Sequence, residues 1–444
     1  MSGLSKYCRI FSAVMAIIML LLCLSLFGCR KNPDTGEGGN GPENDVNDSE
    51  KEDGTMKEDL YNGIIPEDTE YVIANGITKR MIALSGKVKG NQARLAKFIK
   101  KAQNGEDLTV AFVGGSITMG GSANETSYDL CYAALTTKYL KEQFPSANIT
   151  HINLGLNSTG SYINVHRLEK ELLVNDPDLV FVDFSVNDTE NALVRNTASY
   201  ESLLRKIWNH TSNPAVVTIA MTAETWTFQE RHAPICERYQ IPMISYANAI
   251  NDVLSKGYIK WSDISDDNIH PNVTGHGILS EIICAYLQSV IDNVDNIDIE
   301  KESNLSKLYF SEKYINADIL SPADITFTGG NGWSVENPSG GKTYNGAWRV
   351  SSDDGSYDGV TPIKFTVNAQ NIGIMFHKYK SEYASFDVYV DGAFCCTVNP
   401  SAGYNYRDAA EITSFDTFGE HTVEIVPKAS GGKSTIGICA ILVS

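Results

Sequence analysis

The sequence predicts two folds in series, a three-layer α/β/α domain with a parallel sheet and then an all-β sandwich. Three observations carry this. Between Leu108 and Val294, short Val- and Ile-rich runs alternate with longer stretches of helical spacing. After about residue 300 the helical period gives way to strict alternation of apolar and polar residues. Asp391-Gly392 then sits between two alternating runs, the strongest short signal for a hairpin.

The first domain's strands are predicted at Leu108–Val113, Ile149–Leu154, Leu179–Phe184, Ala215–Met221 and Ile241–Tyr246. Continuous apolar strands separated by helices imply a sheet covered on both faces. Helical spacing is clear at Tyr162, Val165, Leu168, Leu172 and Leu173, and the last helix is expected from about Val273 to Val294. Residues 60–107 include a helix over Asn91–Gln103 and are otherwise unassigned. In the second domain Ile363-Phe365-Val367, Phe386-Val388-Val390 and Val423-Ile425 alternate, with glycine turns at Gly329-Gly330, Gly340-Gly341 and Asp354-Gly355.

The N-terminus has the pattern of an export signal. Lys6 and Arg9 precede an apolar stretch from Ile10 to Phe27 that stops at Gly28-Cys29. Leu26-Phe27-Gly28-Cys29 resembles the lipobox of bacterial lipoproteins, which implies cleavage before Cys29, lipidation of its sulfur and a membrane-anchored protein at the bacterial cell surface. An uncleaved membrane anchor is the alternative; both place the remainder outside the cytoplasm. Residues 29–59 are rich in Asp, Glu, Gly and Asn and read as a flexible acidic tether. The expected organisation is therefore signal peptide 1–28, linker 29–59, α/β domain 60–300 and β domain 301–444. The net charge is −18 and no basic face or run occurs, so nucleic acid is not an expected partner. Cys131, Cys236, Cys284, Cys395, Cys396 and Cys439 show no metal-ligand spacing and read mostly as buried small apolar residues.

Val110 to Gly120 reads V-A-F-V-G-G-S-I-T-M-G, a strand that breaks at two glycines and lands on Ser116. Gly115 to Ser122 nearly matches a phosphate loop, but Gly121 stands where its lysine belongs, which excludes that reading. A serine at a strand end can instead be a nucleophile, provided a held base takes its proton. Asp267-Asn268-Ile269-His270-Pro271 supplies a base and an orienting carboxylate from one turn. Donors for a developing oxyanion can come from the Gly155 N–H and the Asn187 amide, at the ends of the next two strands.

Together, Gly114-Gly115-Ser116-Ile117-Thr118, Gly155, Asn187-Asp188 and Asp267-x-x-His270-Pro271 resemble the four blocks of the SGNH (GDSL-like) hydrolases, in order, over about residues 108–294. The resemblance implies a flavodoxin-like sheet, ester hydrolysis through an acyl-enzyme, and no metal or organic cofactor. It implies Ser116 as nucleophile, His270 as general base and acid, and Asp267 as its orienter. The Ser116 N–H, Gly155 N–H and Asn187 side chain would form the oxyanion hole. Two positions depart from the family. Gly115 replaces an aspartate that braces the nucleophile turn, and Ser185 replaces a glycine, adding a hydroxyl beside the oxyanion hole.

Plainer readings stand beside these. Ser116 could cap a helix, Asn187-Asp188 could be a turn, and Asp263, Asp266, Asp267 and His270 could bind a cation, though no calcium-loop spacing fits. His276 reads as helix packing or a solvent-facing residue, and His151, His166, His210, His232, His377 and His421 as structural. Trp226 and Trp261 could stack on a sugar or pack in the core. Ser385 to Gly392 and His421 to Ile425 resemble the jelly-roll modules that accompany carbohydrate esterases. The expected activity is removal of acetyl or other short acyl groups from an acylated polysaccharide or oligosaccharide. The alternatives are a glycan-binding lipoprotein with an inactive hydrolase domain and an exopolysaccharide O-acyltransferase.

Overall fold

In the computed structural model the chain is described at residues 60–67, 76–123, 129–338, 340 and 342–444. Cys29, the signal and the acidic tether lie outside the described residues. Six strands form the first sheet: β1 (Gly86–Val88), β2 (Asp107–Gly114), β3 (Asn148–Asn153), β4 (Leu179–Asp183), β5 (Ala215–Ala220) and β6 (Met243–Ser245). Their order is β1-β6-β5-β4-β2-β3, parallel except for β1, which is antiparallel to β6. β4, β5 and β6 are buried at every residue, as expected for strands covered on both faces. The chain leaves β2 for β3 on one side and returns to β4 on the other. β2 is therefore the switch point, and a crevice must open beyond its C-terminal end.

The flanking helices follow the sequence reading, with two differences. The helix at Ala93–Gln103 and the last helix, Val273–Asp292, lie where expected. Asn272 caps the latter by accepting from the Gly275 N–H at 3.1 Å. The stretch after β3 is helical over Ser161–Arg167, widens to a π turn at Leu168–Leu172 and ends in a 3-10 turn at Leu173–Asn175. β1 and a short helix at Lys79–Ser85 occupy ground the sequence left unassigned.

The second sheet comprises β7 (Asp318–Leu320), β8 (Thr328–Gly329), β9 (Ser334–Glu336), β10 (Ala347–Ser352), β11 (Ile363–Lys378), β12 (Phe386–Val390), β13 (Ala393–Val398), β14 (Tyr406–Pro427) and β15 (Ser434–Val443). All its pairings are antiparallel. β11 and β14 pair along their whole length, and bulges near Ala369–Asn371 fold the sheet into two leaves. Phe365, Val367, Phe386, Val388, Val423 and Ile425 from one leaf pack against Ile374, Phe376, Ile438 and Ile441 from the other.

β11 alternates buried and exposed residues up to Gln370 and is then buried continuously from Asn371 to Phe376. The reason is a second contact. Met375, Ala440 and Leu442 point out of the sandwich and join Tyr162, Leu168 and Tyr314 in a core shared with the α/β layer. Burying a Met or Leu side chain in this way contributes about 1.5–3 kcal/mol. The two expected domains consequently lie within one compact unit, Lys57–Ser444. The connector after residue 300 adheres to the α/β layer: Glu302 bridges Arg94 and Lys97 at 2.7 Å each, and Leu305 and Ala317 are buried.

Candidate active site

Ser116 opens a single helical turn, Ser116–Met119, directly beyond β2. As the first residue of that turn, its N–H has no intrahelical partner. The turn is closed by Gly120, in the left-handed conformation at φ +103°, whose N–H donates to the carbonyls of Ser116 and Ile117. The Ser116 hydroxyl lies 2.8 Å from His270 Nε2, and His270 Nδ1 lies 2.8 Å from Asp267 Oδ2. A carboxylate only accepts, so Nδ1 carries the proton and Nε2 is left to accept from the serine. The other Asp267 oxygen accepts the N–H groups of Ile269 and His270, each at 2.6 Å. Burial pushes the Asp267 carboxyl up, but these bonds and the one from His270 outweigh it and hold it below the usual carboxylate range.

The loop carrying this pair is tied down at several points. An isolated bridge joins Ser265 to Pro271, and the Trp261 indole N–H donates to the Asp267 carbonyl at 2.6 Å. Glu224 N–H reaches across from beyond β5 to the Asn268 carbonyl at 3.0 Å. Behind it, buried His276 accepts the Tyr132 N–H at Nδ1 and donates from Nε2 to the Gly121 carbonyl at 3.2 Å. Burial, with His270 nearby adding to the effect, lowers the His276 imidazole to about 4, so it acts as a neutral brace.

The three expected oxyanion donors are placed differently. Asn187, beyond β4, faces the cavity, and its side-chain amide makes no hydrogen bond among the described residues. It occupies the space a side chain at position 115 would take, since a Cβ on Gly115 would lie 2.0 Å from Asn187 Oδ1. The Ser116 N–H stands at the same strand end. Gly155 packs behind the nucleophile turn, where an added Cβ would lie 2.2 Å from the Met119 nitrogen. Its N–H is donated to Asn153 Oδ1 at 2.9 Å, and Leu156 rather than Gly155 borders the cavity.

Ser185 corrects the expectation of a hydroxyl beside the oxyanion hole. It is fully buried and turned away, with Oγ 2.9 Å from Asp183 Oδ1 and accepting the Met221 N–H at 2.6 Å. Burial pushes the Asp183 carboxyl up to about 7, despite the bonds from Ser185. An acid whose folded value lies above its unfolded one retains a proton in the native state, so stability falls as pH rises from about 4 to about 7. The span corresponds to roughly 4 kcal/mol. Asp183→Asn is expected to remove this component, flattening the decline between pH 4.5 and 8 when urea unfolding is compared with the parent chain. Parallel curves for the two proteins would refute it.

Asp188 belongs to a block the sequence singled out, but its buried partners gave no local signal there. Asp188 accepts the Ser161 N–H at 2.9 Å and the His232 Nε2–H at 3.0 Å, while His232 stacks on Tyr200 at 3.7 Å. This pair fixes the turn that presents Asn187. Of the tryptophans, Trp226 borders the cavity and is 39% exposed, whereas Trp261 serves the Asp267 loop. Asp263 receives the Lys260 N–H and Asp266 lies 3.4 Å from the Asn272 amide. Among the described residues no group of three or more His, Cys, Asp or Glu is arranged to hold a metal ion.

Ser116, His270 and Asn187 open into a cavity of about 920 Å³ whose far wall comes from the β layer. Tyr344, Tyr404 and Tyr406 stand there, the last two with ring centroids 4.8 Å apart. The Tyr404 hydroxyl lies 3.1 Å from Ser158 Oγ on the opposite side. The arrangement can pass a proton from Ser116 Oγ to His270 as the serine attacks a carbonyl carbon, with the Ser116 N–H and the Asn187 amide available as donors to the oxygen on which charge develops.

Residues 112–278 match the GDSL-like Lipase/Acylhydrolase family. No curated protein matches the chain. Among solved structures, a two-domain esterase (CEX) active on acetylated mannans, co-crystallized with mannopentaose, is 25% identical with a TM-score of 0.71, covering 82% of this chain and 97% of that one. A second crystal structure of a two-domain esterase (CEX) active on acetylated mannans is 24% identical at TM-score 0.72, covering 82% and 98%.

Proposed function

Residues 112–278 form a GDSL-like hydrolase domain and the chain is a carboxylic ester hydrolase, and from this we propose that it removes acetyl groups from acetylated polysaccharides. The observation that carries the reading is the cavity itself. The hydroxyl–imidazole–carboxylate relay opens into about 920 Å³ walled by Trp226, Tyr404 and Tyr406. That space far exceeds an acetyl group, and flat amphipathic rings suit the apolar faces and hydroxyl edges of sugars. The similarity to an esterase active on acetylated mannans supports the same substrate class.

In the proposed reaction Ser116 Oγ attacks the acetyl carbonyl carbon as its proton passes to His270 Nε2. Asp267 holds the imidazole in the required tautomer. The oxyanion is received by the Ser116 N–H and the Asn187 amide. The Gly155 N–H, already held by Asn153, is not assigned a part. The tetrahedral intermediate then expels the sugar oxygen, which His270 protonates to the free hydroxyl, and water, deprotonated by the same imidazole, releases acetate from the acyl-enzyme. We further propose that a lipidated Cys29 tethers the enzyme at the cell surface through the acidic segment, the reading supported by Leu26-Phe27-Gly28-Cys29.

The test is acetate release from acetylated mannan and acetylated xylan, by purified protein and by washed membranes of cells making the full chain or its Cys29→Ser variant. Free acetate is expected from the purified protein and from parental membranes, and far less from Cys29→Ser membranes. Acetyl ester accumulating on an added sugar acceptor would instead identify a transferase. Glycan binding without any ester cleavage would overturn the enzymatic reading.

A further inference from the structure

A second groove, of about 750 Å³, lies beside the catalytic cavity, and Arg195 borders both. On β14, Ala409 lines the cavity and Glu411, two residues on along the same face, lines the groove. Arg195 is the residue that lines both, and its guanidinium lies over the Tyr162 ring at 4.7 Å and reaches the Ala409 carbonyl at 3.5 Å.

The groove displays apolar side chains that a soluble surface ordinarily hides. Phe310 is 48% exposed and Val194 is 69% exposed, and both line it. The loop bearing Phe310 is held by an unusual device. Glu201, fully buried, accepts the N–H groups of Tyr309, Phe310 and Ser311 at 2.7, 2.9 and 2.7 Å, and also receives the Tyr239 hydroxyl. A buried carboxyl group that accepts three successive N–H groups holds the backbone that carries Phe310, so little backbone ordering entropy is lost when something stacks on the ring. The charged residues of the lining balance: Glu190 and Glu411 against Arg195 and Lys313, with Lys313 ion-paired to Glu411. Such a surface is matched to a neutral partner with apolar faces and hydroxyl edges, and not to a polyanion.

We propose that this groove is a distal subsite for the substrate polymer, holding sugar units that run on past Arg195 from the one whose acetyl group lies at Ser116. This rests on the glycan reading above. A single acetylated sugar fills only the catalytic cavity, whereas a longer chain must leave it, and the groove is the continuation on the Arg195 side. Binding energy gathered there acts on chain length and not on the ester bond.

The test compares the full chain with its Phe310→Ala variant on 4-nitrophenyl acetate, on acetylated mono- and disaccharides, and on acetylated mannan and xylan. Because Phe310 is half exposed and lines the groove but not the catalytic cavity, the variant is expected to retain the parental rate on 4-nitrophenyl acetate. Loss of one stacking ring is expected to lower kcat/KM on the acetylated polymers about 5- to 15-fold, chiefly through KM. A Glu201→Gln variant, with the ring present but its loop less firmly held, is expected to show a smaller loss in the same direction. Equal polymer kcat/KM for Phe310→Ala and the parent would overturn the subsite and leave the deacetylase reading intact. Turnover of 4-nitrophenyl acetate with none on any acetylated carbohydrate would overturn both.

Discussion

Ser116→Ala is expected to lower kcat on 4-nitrophenyl acetate and on acetylated polysaccharide by about 10⁴- to 10⁶-fold, leaving a trace of turnover from binding and oxyanion stabilisation alone. The magnitude follows from what the hydroxyl does. It stands 2.8 Å from an imidazole whose other nitrogen is held by Asp267, so no neighbouring group can take its place as the attacking atom. Two hydroxyls on neighbouring turns lie outside this relay: Thr118 is bonded to Tyr132 at 2.9 Å, and Ser185 is fully buried just beyond β4. The substitution removes one small polar atom from an unstrained turn, so the melting temperature is expected to stay within a few degrees. Retention of more than a tenth of the parental kcat would exclude Ser116 as nucleophile. Affinity for a non-acetylated oligosaccharide should survive in the variant, which separates loss of chemistry from loss of the cavity.

Most of the α/β layer was legible because its strands are buried on both faces and therefore appear as uninterrupted apolar runs. β1 was not. It is three residues, Gly86–Val88, with no period to detect, and it is a strand only because β6 offers it an edge. The helical spacing through Tyr162 to Leu173 was correctly seen, but spacing alone cannot reveal the π turn at Leu168–Leu172. In the β layer, alternation located β11, β12 and β14. The continuous run from Asn371 to Phe376 is apolar on both sides for a reason outside the strand, since one face closes the sandwich and the other rests on the α/β layer. That docking also joins two expected domains into one unit.

The same distinction governs the site. Ser116, Gly155 and Asn187 each follow a strand end, and Asp267 with His270 share one turn, so local sequence placed them. What depends on distant partners stayed hidden. Asp188 meets His232 across 44 positions, and the cavity wall of Tyr344, Tyr404 and Tyr406 exists only because two sheets pack together. Gly155 shows the limit in the other direction. Its glycine is required, but by the close approach of the Met119 backbone, and its N–H is taken by Asn153.

Gly115 and Asn187 have to be considered as a pair, and their variants are expected to fail in the same way. Asn187→Ala removes the side-chain donor at the oxyanion and is expected to lower kcat about 10²- to 10³-fold with little change in KM, because the donor matters most once charge develops on the oxygen. Restoring the carboxylate that related hydrolases carry at this turn, through Gly115→Asp, would be expected from sequence alone to brace the nucleophile. The structure reverses that expectation. A Cβ at position 115 would meet Asn187 Oδ1 at 2.0 Å and Cγ at 2.7 Å, so the amide must move before any side chain fits. Asn187 cannot retreat freely, since its own N–H is donated to the Phe184 carbonyl at 3.0 Å and the next residue, Asp188, is locked between Ser161 and His232. Displacement of the amide from the cavity is then the accessible relaxation, and it also brings a negative charge to the place where another must form. Gly115→Asp is therefore expected to reduce kcat at least as much as Asn187→Ala, and the double variant to be little worse than either alone. Steady-state kinetics of the three proteins on 4-nitrophenyl acetate decide the matter: a Gly115→Asp enzyme as fast as the parent, or losses that multiply in the double variant, would show that Asn187 does not hold the oxyanion from the space Gly115 leaves open.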